Sequence, residues 1–184
     1  TKIDGVLLTH EHSDHTAGLD DIRPFYFQQG KISFFAHKRV FENLKQRFSY
    51  IFETVNKYPG APTIDEIEID KNTTFPLGDK NIIPIEAFHG VLPVLGFKID
   101  NFAYLTDVKT IEKREIEKLK KIKILVINAL RYEKHHSHLN LAEALELIEE
   151  IKPKKTYLTH ISHVLGFHEE VEKTLPKNVF LAYD

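Results

Sequence analysis

Leu8–His15 reads LTHEHSDH, three histidines and one aspartate packed behind an apolar run. The run itself, IDGVLLTH over Ile3–His10, predicts a buried strand: short, rich in β-branched and apolar residues, ending in polar ones. If His10 and His12 continue that extended backbone, their side chains leave on the same side, because residues i and i+2 of a strand point the same way. Two imidazoles then converge on one cation. Asp14 and His15 follow where the chain turns into a helix, and they face a neighbouring point. A carboxylate beside imidazoles suits zinc, manganese or iron. The plain alternatives are a helix N-cap for Asp14 and a solvated first-turn residue for His15. For all four residues together, a set of metal ligands is the better reading.

The bulk properties fit an enzyme. With 184 residues, 42% hydrophobic and 28% charged, the chain is long enough for one soluble globular domain with a real core. Its net charge of −2 argues against a general affinity for nucleic acid or for an anionic membrane. No apolar run approaches the length of a bilayer span, and no signal peptide is visible. There is no cysteine, so no disulfide can form, and a cytoplasmic enzyme is the simplest expectation. The chain holds eleven histidines, so where they fall is the question. It begins at Thr1, contains no methionine, and ends strand-like at FLAYD. The expectation is that it belongs to a longer protein.

Strands and helices alternate along it. Asp14–Phe25 predicts a short helix ended near Pro24, and Lys31–His37 a strand. Lys38–Phe48 predicts an amphipathic helix with Val40, Phe41, Leu44 and Phe48 inward. Strands are predicted at Thr63–Ile69 and Asn81–Gly90, and a hairpin over Val94–Asp107 turns at Asp100–Asn101. Thr110–Lys121 predicts a charged helix with Glu117 and Lys121 as an i,i+4 pair. Its lysine-rich end, with KPKK at Lys152–Lys155, reads as solvated surface. Then follow a strand (Lys123–Asn128) and a helix (Asn140–Ile151) whose face carries Leu141, Leu145 and Ile148. Asn140 and Glu143 make a capping box for that helix. Last come a strand (Lys155–His160), a helix (Phe167–Leu175) and a strand (Asn178–Asp184). This is an α/β chain with helix-covered sheets, read as one domain over 1–184.

Further candidate ligands end other strands: His89 ends NIIPIEAFHG, Asp107 ends FAYLTD, and His160 ends KTYLTH. Sites in α/β folds collect at strand ends. Taken singly, His89 could be a turn residue, Asp107 a helix N-cap and His160 a surface histidine. Their joint recurrence points instead to a shared site. Seven candidate ligands, His10, His12, Asp14, His15, His89, Asp107 and His160, suit two metals sharing one carboxylate.

THEHSDH, AFHG, YLTD, HSHLN and LTHISH, in this order, resemble the metallo-β-lactamase superfamily of binuclear hydrolases, over Ile3–Asp184. HGVLPVLGFKIDNFAYLTD and YLTHISH look most like the branch containing phosphoribosyl 1,2-cyclic phosphate phosphodiesterase. The resemblance implies a four-layer αββα sandwich with metals in a cleft between its sheets. It implies that His10, His12 and His89 hold one divalent ion (zinc or manganese), that Asp14, His15 and His160 hold the other, and that Asp107 bridges. The family usually carries further N-terminal strands before its His-rich motif, and the phosphodiesterase branch often has an additional Cys-bearing zinc site there. Both are expected outside this sequence.

The activity implied is a phosphodiesterase cleaving a small cyclic phosphodiester, with a metal-bridging hydroxide as nucleophile. His138 precedes the capping box at Asn140, so it sits by a helix N-terminus that favours an anion. By position it matches the substrate-side histidine of the branch, which implies a general acid or phosphate binder. His163, three residues past His160, is the second substrate-binding candidate. His135 and His136 read equally as candidates for that role and as plain loop residues, and His37 and His168 read as surface; Arg131 is a further candidate for phosphate. Competing activities are a ribonuclease Z-like endonuclease, which the net charge and the lack of a long insertion disfavour, and a thioesterase or lactonase on the same metal site. A non-catalytic metal-binding scaffold would be expected only if ligands were lost. The implied partner is a small-molecule phosphodiester, with neither membrane nor nucleic acid; the sequence is compatible with a homodimer.

Overall fold

The strand predicted over Ile3–His10 narrows to two residues in the computed structural model, β1 (Val6–Leu7), which pairs parallel to β2 (Ile32–Ala36). The structure describes residues 1–183. Leu8 N still donates to the Phe35 carbonyl at 3.0 Å. Beyond it the ladder stops, because β2 itself ends at Ala36 and His37 begins the next helix. The ligand-rich stretch therefore starts as a loop, then enters α1 (Ser13–Thr16). A 3₁₀ turn (Ala17–Ile22) leads into α2 (Arg23–Gln29). Contrary to the sequence expectation, Pro24 does not end a helix there. It lies in the first turn of α2, where its missing N–H has no partner to lose.

Two units partition the chain, 1–79 and 80–184. In the first, α3 (Lys38–Arg47) buries Val40, Phe41 and Leu44 as its apolar spacing predicts, and the His37 ring accepts from Arg39 N as the N-cap. The short α4 (Ser49–Phe52) follows, then β3 (Ile64–Glu68), parallel to β2, and β4 (Phe75–Leu77). β3 edges the order β1-β2-β3, and its Ile67 stays 38% exposed, so the expected alternation there is incomplete. Leu8, Leu19, Ile22, Phe34, Phe41 and Leu44 form this unit's core.

In the second unit β5 (Lys80–His89), β6 (Leu92–Ile99) and β7 (Phe102–Leu105) form an antiparallel meander, with Asp100 at φ +50° in the predicted turn. The short β8 (Thr110–Ile111) pairs with β5. It takes the first residues of the stretch expected to be helical, so α5 spans only Lys113–Leu119. Lys121 therefore lies past the helix end at φ +68°, and Glu117 pairs with Lys120 instead, at 2.5 Å. Then come β9 (Ile124–Asn128), α6 (Leu141–Ile151), β10 (Lys155–Thr159), a 3₁₀ turn (His163–Leu165), α7 (His168–Glu172) and β11 (Val179–Leu181). The last predicted strand extends to Asp184, which lies outside the described residues.

The capping box of α6 is complete: Glu143 N donates to Asn140 Oδ1 at 2.9 Å, and Asn140 N to Glu143 Oε2 at 3.0 Å. Its buried face is Leu141, Ala144, Leu147, Ile148 and Ile151, with Leu145 only partly buried. No helix among the described residues is long and apolar enough to cross a membrane.

Within this unit the strands run β11-β10-β9-β7-β6-β5. β7, β9, β10 and β11 are parallel, so Leu105, Ile127 and Leu158 lie in register. β5, antiparallel to β6, runs the same way as β7. The C-terminal ends of β5, β7, β9 and β10 thus share one edge, the edge where such sheets carry their chemistry.

The meander depends on Gly96, opposite Ile85 on β5. A Cβ there would sit 2.1 Å from Leu105 Cδ2 and 2.8 Å from the Tyr104 carbonyl oxygen. Gly96→Ala is therefore expected to destabilise the protein by about 1–3 kcal/mol, the usual cost of overpacking, read as a lower urea midpoint. An unchanged midpoint would show that β6 and β7 can separate without loss.

Candidate metal centre

Each unit presents its own group of metal-type donors. In the first, the loop after β1 and the first turn of α1 carry His10, His12, Asp14 and His15. His10 is fully buried, with Nδ1 3.0 Å from Thr9 Oγ1 and Nε2 3.1 Å from His12 Nδ1. The His10 ring centroid lies 4.7 Å from that of His12 and 4.4 Å from that of His15. His15 Nε2 is 3.1 Å from Asp14 Oδ2. Asp14 is not an N-cap: it lies inside α1, and His12 occupies the capping position.

In the second unit, the ends of β5, β7 and β10 bring His89, Asp107 and His160 together with His138, from the loop before α6. Asp107 is buried, and its Oδ1 is 3.3 Å from His160 Nε2 and 3.4 Å from His138 Nδ1. The His138 ring lies between those of His89 and His160, with centroids 4.4 and 4.9 Å away. Asp107 does not cap a helix either, since α5 starts six residues on with Glu112 as its N-cap. Asp107 and His160 sit at φ +58° and +52°. Left-handed backbone at residues other than glycine is uncommon, and it persists where the surroundings over-determine it.

Those surroundings are visible. Asn128, at the end of β9, accepts from Val108 N at 2.7 Å and donates to the Val108 carbonyl at 3.1 Å. Leu139 N donates to the same carbonyl at 2.7 Å, and Lys109 N to the Phe88 carbonyl at 2.7 Å. Leu130 N donates to the Leu139 carbonyl, and Ser162 N to the Leu130 carbonyl. These bonds tie the segments bearing His89, Asp107, His138 and His160 to one another. Sequence reasoning missed Asn128, although its place at a strand end on the same edge was a usable signal. It missed Thr106 as well, whose hydroxyl donates to Asp107 Oδ2 at 2.8 Å. No local pattern marks that residue.

Both groups fit a divalent cation. Imidazole with carboxylate is the donor chemistry of zinc and manganese. His89 Nδ1 lies 2.8 Å from the Ser137 carbonyl, an acceptor only, so Nδ1 carries the proton and Nε2 presents its lone pair. A ligating histidine is oriented in this way by its second nitrogen. Donor atoms of His89, Asp107 and His138 lie within 4.8 Å of one another. The sequence expectation sets His138 apart from the ligands, as a group that serves the substrate, and its Nδ1 lies 3.4 Å from Asp107 Oδ1. His163 stays outside this cluster, exposed at the start of its 3₁₀ turn. His135 lies 5.1 Å from the His138 ring and 4.3 Å from that of His136. His37 is exposed as expected, while His168 is half-buried at the start of α7.

Burial pushes the His138 imidazole down to about 4, with the neighbouring His89, His160 and His135 acting the same way and Asp107 opposing. His135 is also lowered, by burial first and then by His136 and other cationic neighbours. Between about pH 6.5 and 4 the unfolded chain binds a proton at His138 that the folded protein does not, so stability falls as pH drops through that window. In urea titrations of the metal-free protein, His138→Gln is expected to flatten this part of the stability–pH curve. An identical slope in both proteins would mean that His138 is not held neutral. Asp107→Asn removes the only carboxylate of the second group and is expected to lower bound metal, read by elemental analysis. Normal metal content would leave Asp107 with a role in folding alone.

Residues 1–161 match the family model described as "Beta-lactamase superfamily domain". A crystal structure described as a new diphosphatase from the PhnP family is 34% identical, with a TM-score of 0.89 over 100% of this chain and 69% of that one. The short form of human tRNase Z is 17% identical, with a TM-score of 0.71 over 99% of this chain and 77% of that one, and so shares the fold. An octanoyltransferase from Porphyromonas gingivalis (strain ATCC BAA-308 / W83) is 40% identical over 118 residues, 64% of this chain. The match spans 24% of that relative's length. The fold implies divalent metal ions.

Proposed function

The chain belongs to the metallo-β-lactamase superfamily, and from that premise we propose that it is a metal-dependent phosphodiesterase acting on a small cyclic phosphodiester. In this reading the two units work as a single catalytic domain around two ions, zinc or manganese. His10, His12 and His89 would hold one, Asp14, His15 and His160 the other, and Asp107 would be shared by both. Ions bound there would acidify a water and neutralise charge on the phosphoryl oxygens.

The observation that carries the phosphodiesterase reading is His138. It is buried, 3.4 Å from Asp107, and two residues before the N-cap of α6. A basic group beside a helix N-terminus suits an anion, because the helix dipole favours negative charge there. Burial leaves His138 neutral near pH 7. An anionic phosphoryl group beside it would raise its proton affinity, since a neighbouring opposite charge favours the protonated form. His138 then serves as the proton donor to the leaving alkoxide. The likeness to a PhnP-family diphosphatase supports phosphorus chemistry over acyl chemistry. The octanoyltransferase match supplies a second reading, hydrolysis or transfer at an acyl thioester.

A panel with zinc and with manganese separates these: a five-membered cyclic phosphodiester, an octanoyl thioester, a lactone and a precursor tRNA. Chelator-sensitive hydrolysis of the cyclic phosphodiester is expected, and preference for the thioester, lactone or tRNA would contradict the proposal. His138→Ala is expected to keep its metal and lose about 10²–10⁴-fold in turnover on an alkyl phosphodiester. A nitrophenyl ester, whose leaving group needs no proton, should lose far less. Equal losses on both esters would assign His138 to phosphate binding, and no loss on either would remove it from the mechanism.

A further inference from the structure

The loop that carries His10 and His12 has little sheet to hold it. β1 ends at Leu7 and α1 begins at Ser13. Its restraints come instead from α3, residues 28 to 36 positions away in sequence. Arg39 Nε donates to Glu11 Oε1 at 2.8 Å. Arg47 Nη1 donates to the Glu11 carbonyl at 2.8 Å and to Thr16 Oγ1 at 2.9 Å. The Thr16 hydroxyl in turn donates to the His12 carbonyl at 2.9 Å. The carbonyls of two successive loop residues and the side chain between the two histidines are thus anchored to one helix.

We propose that Glu11, Arg39 and Arg47 form a positioning brace that presets the His10–His12 loop for metal capture. Glu11 is an acid placed between two ligand-type residues, and with its carboxylate engaged by Arg39 it acts on the loop's shape rather than as a ligand. Arg47 is exposed, so its side chain adds little to the core. Its two bonds nevertheless fix the turn from His12 into α1, the turn that also places Asp14 and His15. A loop held in its binding geometry by folding does not pay the ordering cost when the ion arrives. The Glu11 carboxylate also offsets the Arg39 guanidinium beside a site for cations, which would otherwise repel them.

This inference rests on the reading of His10, His12, Asp14 and His15 as ligands, and the test separates the two. Zinc affinity of the full-length protein is measured by competition with a chromophoric chelator, alongside the melting temperature of the metal-free form. Arg47→Met and Glu11→Gln are each expected to weaken zinc binding by about 10- to 100-fold, the usual cost of losing a group that orients ligands. Arg47→Lys should recover most of the loss, because one Nζ can donate to both the Glu11 carbonyl and Thr16 Oγ1. Glu11→Gln combined with Arg39→Met should cost no more than either single change, as partners in one interaction do. The metal-free melting temperature of Arg47→Met should stay near that of the parent protein, so this variant carries the test even if Glu11→Gln folds poorly. Unchanged zinc affinity in Arg47→Met and Glu11→Gln would overturn the brace. So would an affinity that falls only in step with the melting temperature, since Arg47 would then be holding the fold. A parent protein that binds no zinc would instead overturn the metal reading itself.

Discussion

The second unit is organised around one buried carboxylate. Asp107 is 2% exposed, with imidazole nitrogens of His138 and His160 at 3.4 and 3.3 Å from the same oxygen. A carboxylate out of water is costly unless it is paired or hydrogen-bonded, and imidazoles crowded together resist taking protons. Thr106 satisfies the other carboxylate oxygen. Burial holds the His138 imidazole down at about 4, against the pull of Asp107, so it carries no proton at neutral pH. A cation beside this group would relieve both demands at once, by meeting the negative charge and using the imidazole lone pairs.

The rest of the unit serves that arrangement. The meander β5–β7 and the parallel run β7-β9-β10 turn the same strand ends to one edge, and Asn128 locks the backbone just past Asp107. Lys109, two residues after Asp107, donates to Glu143 Oε1 and Oε2 at 2.9 and 2.8 Å. Glu143 also closes the capping box on Asn140, two residues after His138. One glutamate therefore links the segment bearing Asp107 to the segment bearing His138. In the first unit α3 does comparable work through Arg39 and Arg47.

Much of this was legible in the sequence. Strand ends, helix faces and the capping box are local, and period and cap chemistry report them directly. That is why His89, Asp107 and His160 could be picked out, each as the polar end of an apolar run. Where tertiary pairing sets the boundary, the sequence was less informative. β1 is short because β2 ends, and α5 starts late because β8 pairs with β5; neither cause lies within the segment concerned. Pro24 misled because the same residue ends one helix or starts another, depending on its position. Asn128, Arg39 and Arg47 escaped notice because they act across the fold, through bonds that no spacing encodes, and Thr106 because nothing in a lone hydroxyl marks that it serves its neighbour Asp107. His138 was found from its place before Asn140, but its 3.4 Å approach to Asp107 was not.

The central claim is that the two donor groups hold two ions with Asp107 between them. Anomalous diffraction at the zinc edge, on crystals of the full-length protein grown with zinc, tests it most directly. The account predicts one peak ligated by His10, His12 and His89, and a second by Asp14, His15 and His160, with Asp107 touching both. A single peak, or zinc bound without Asp107, would contradict it.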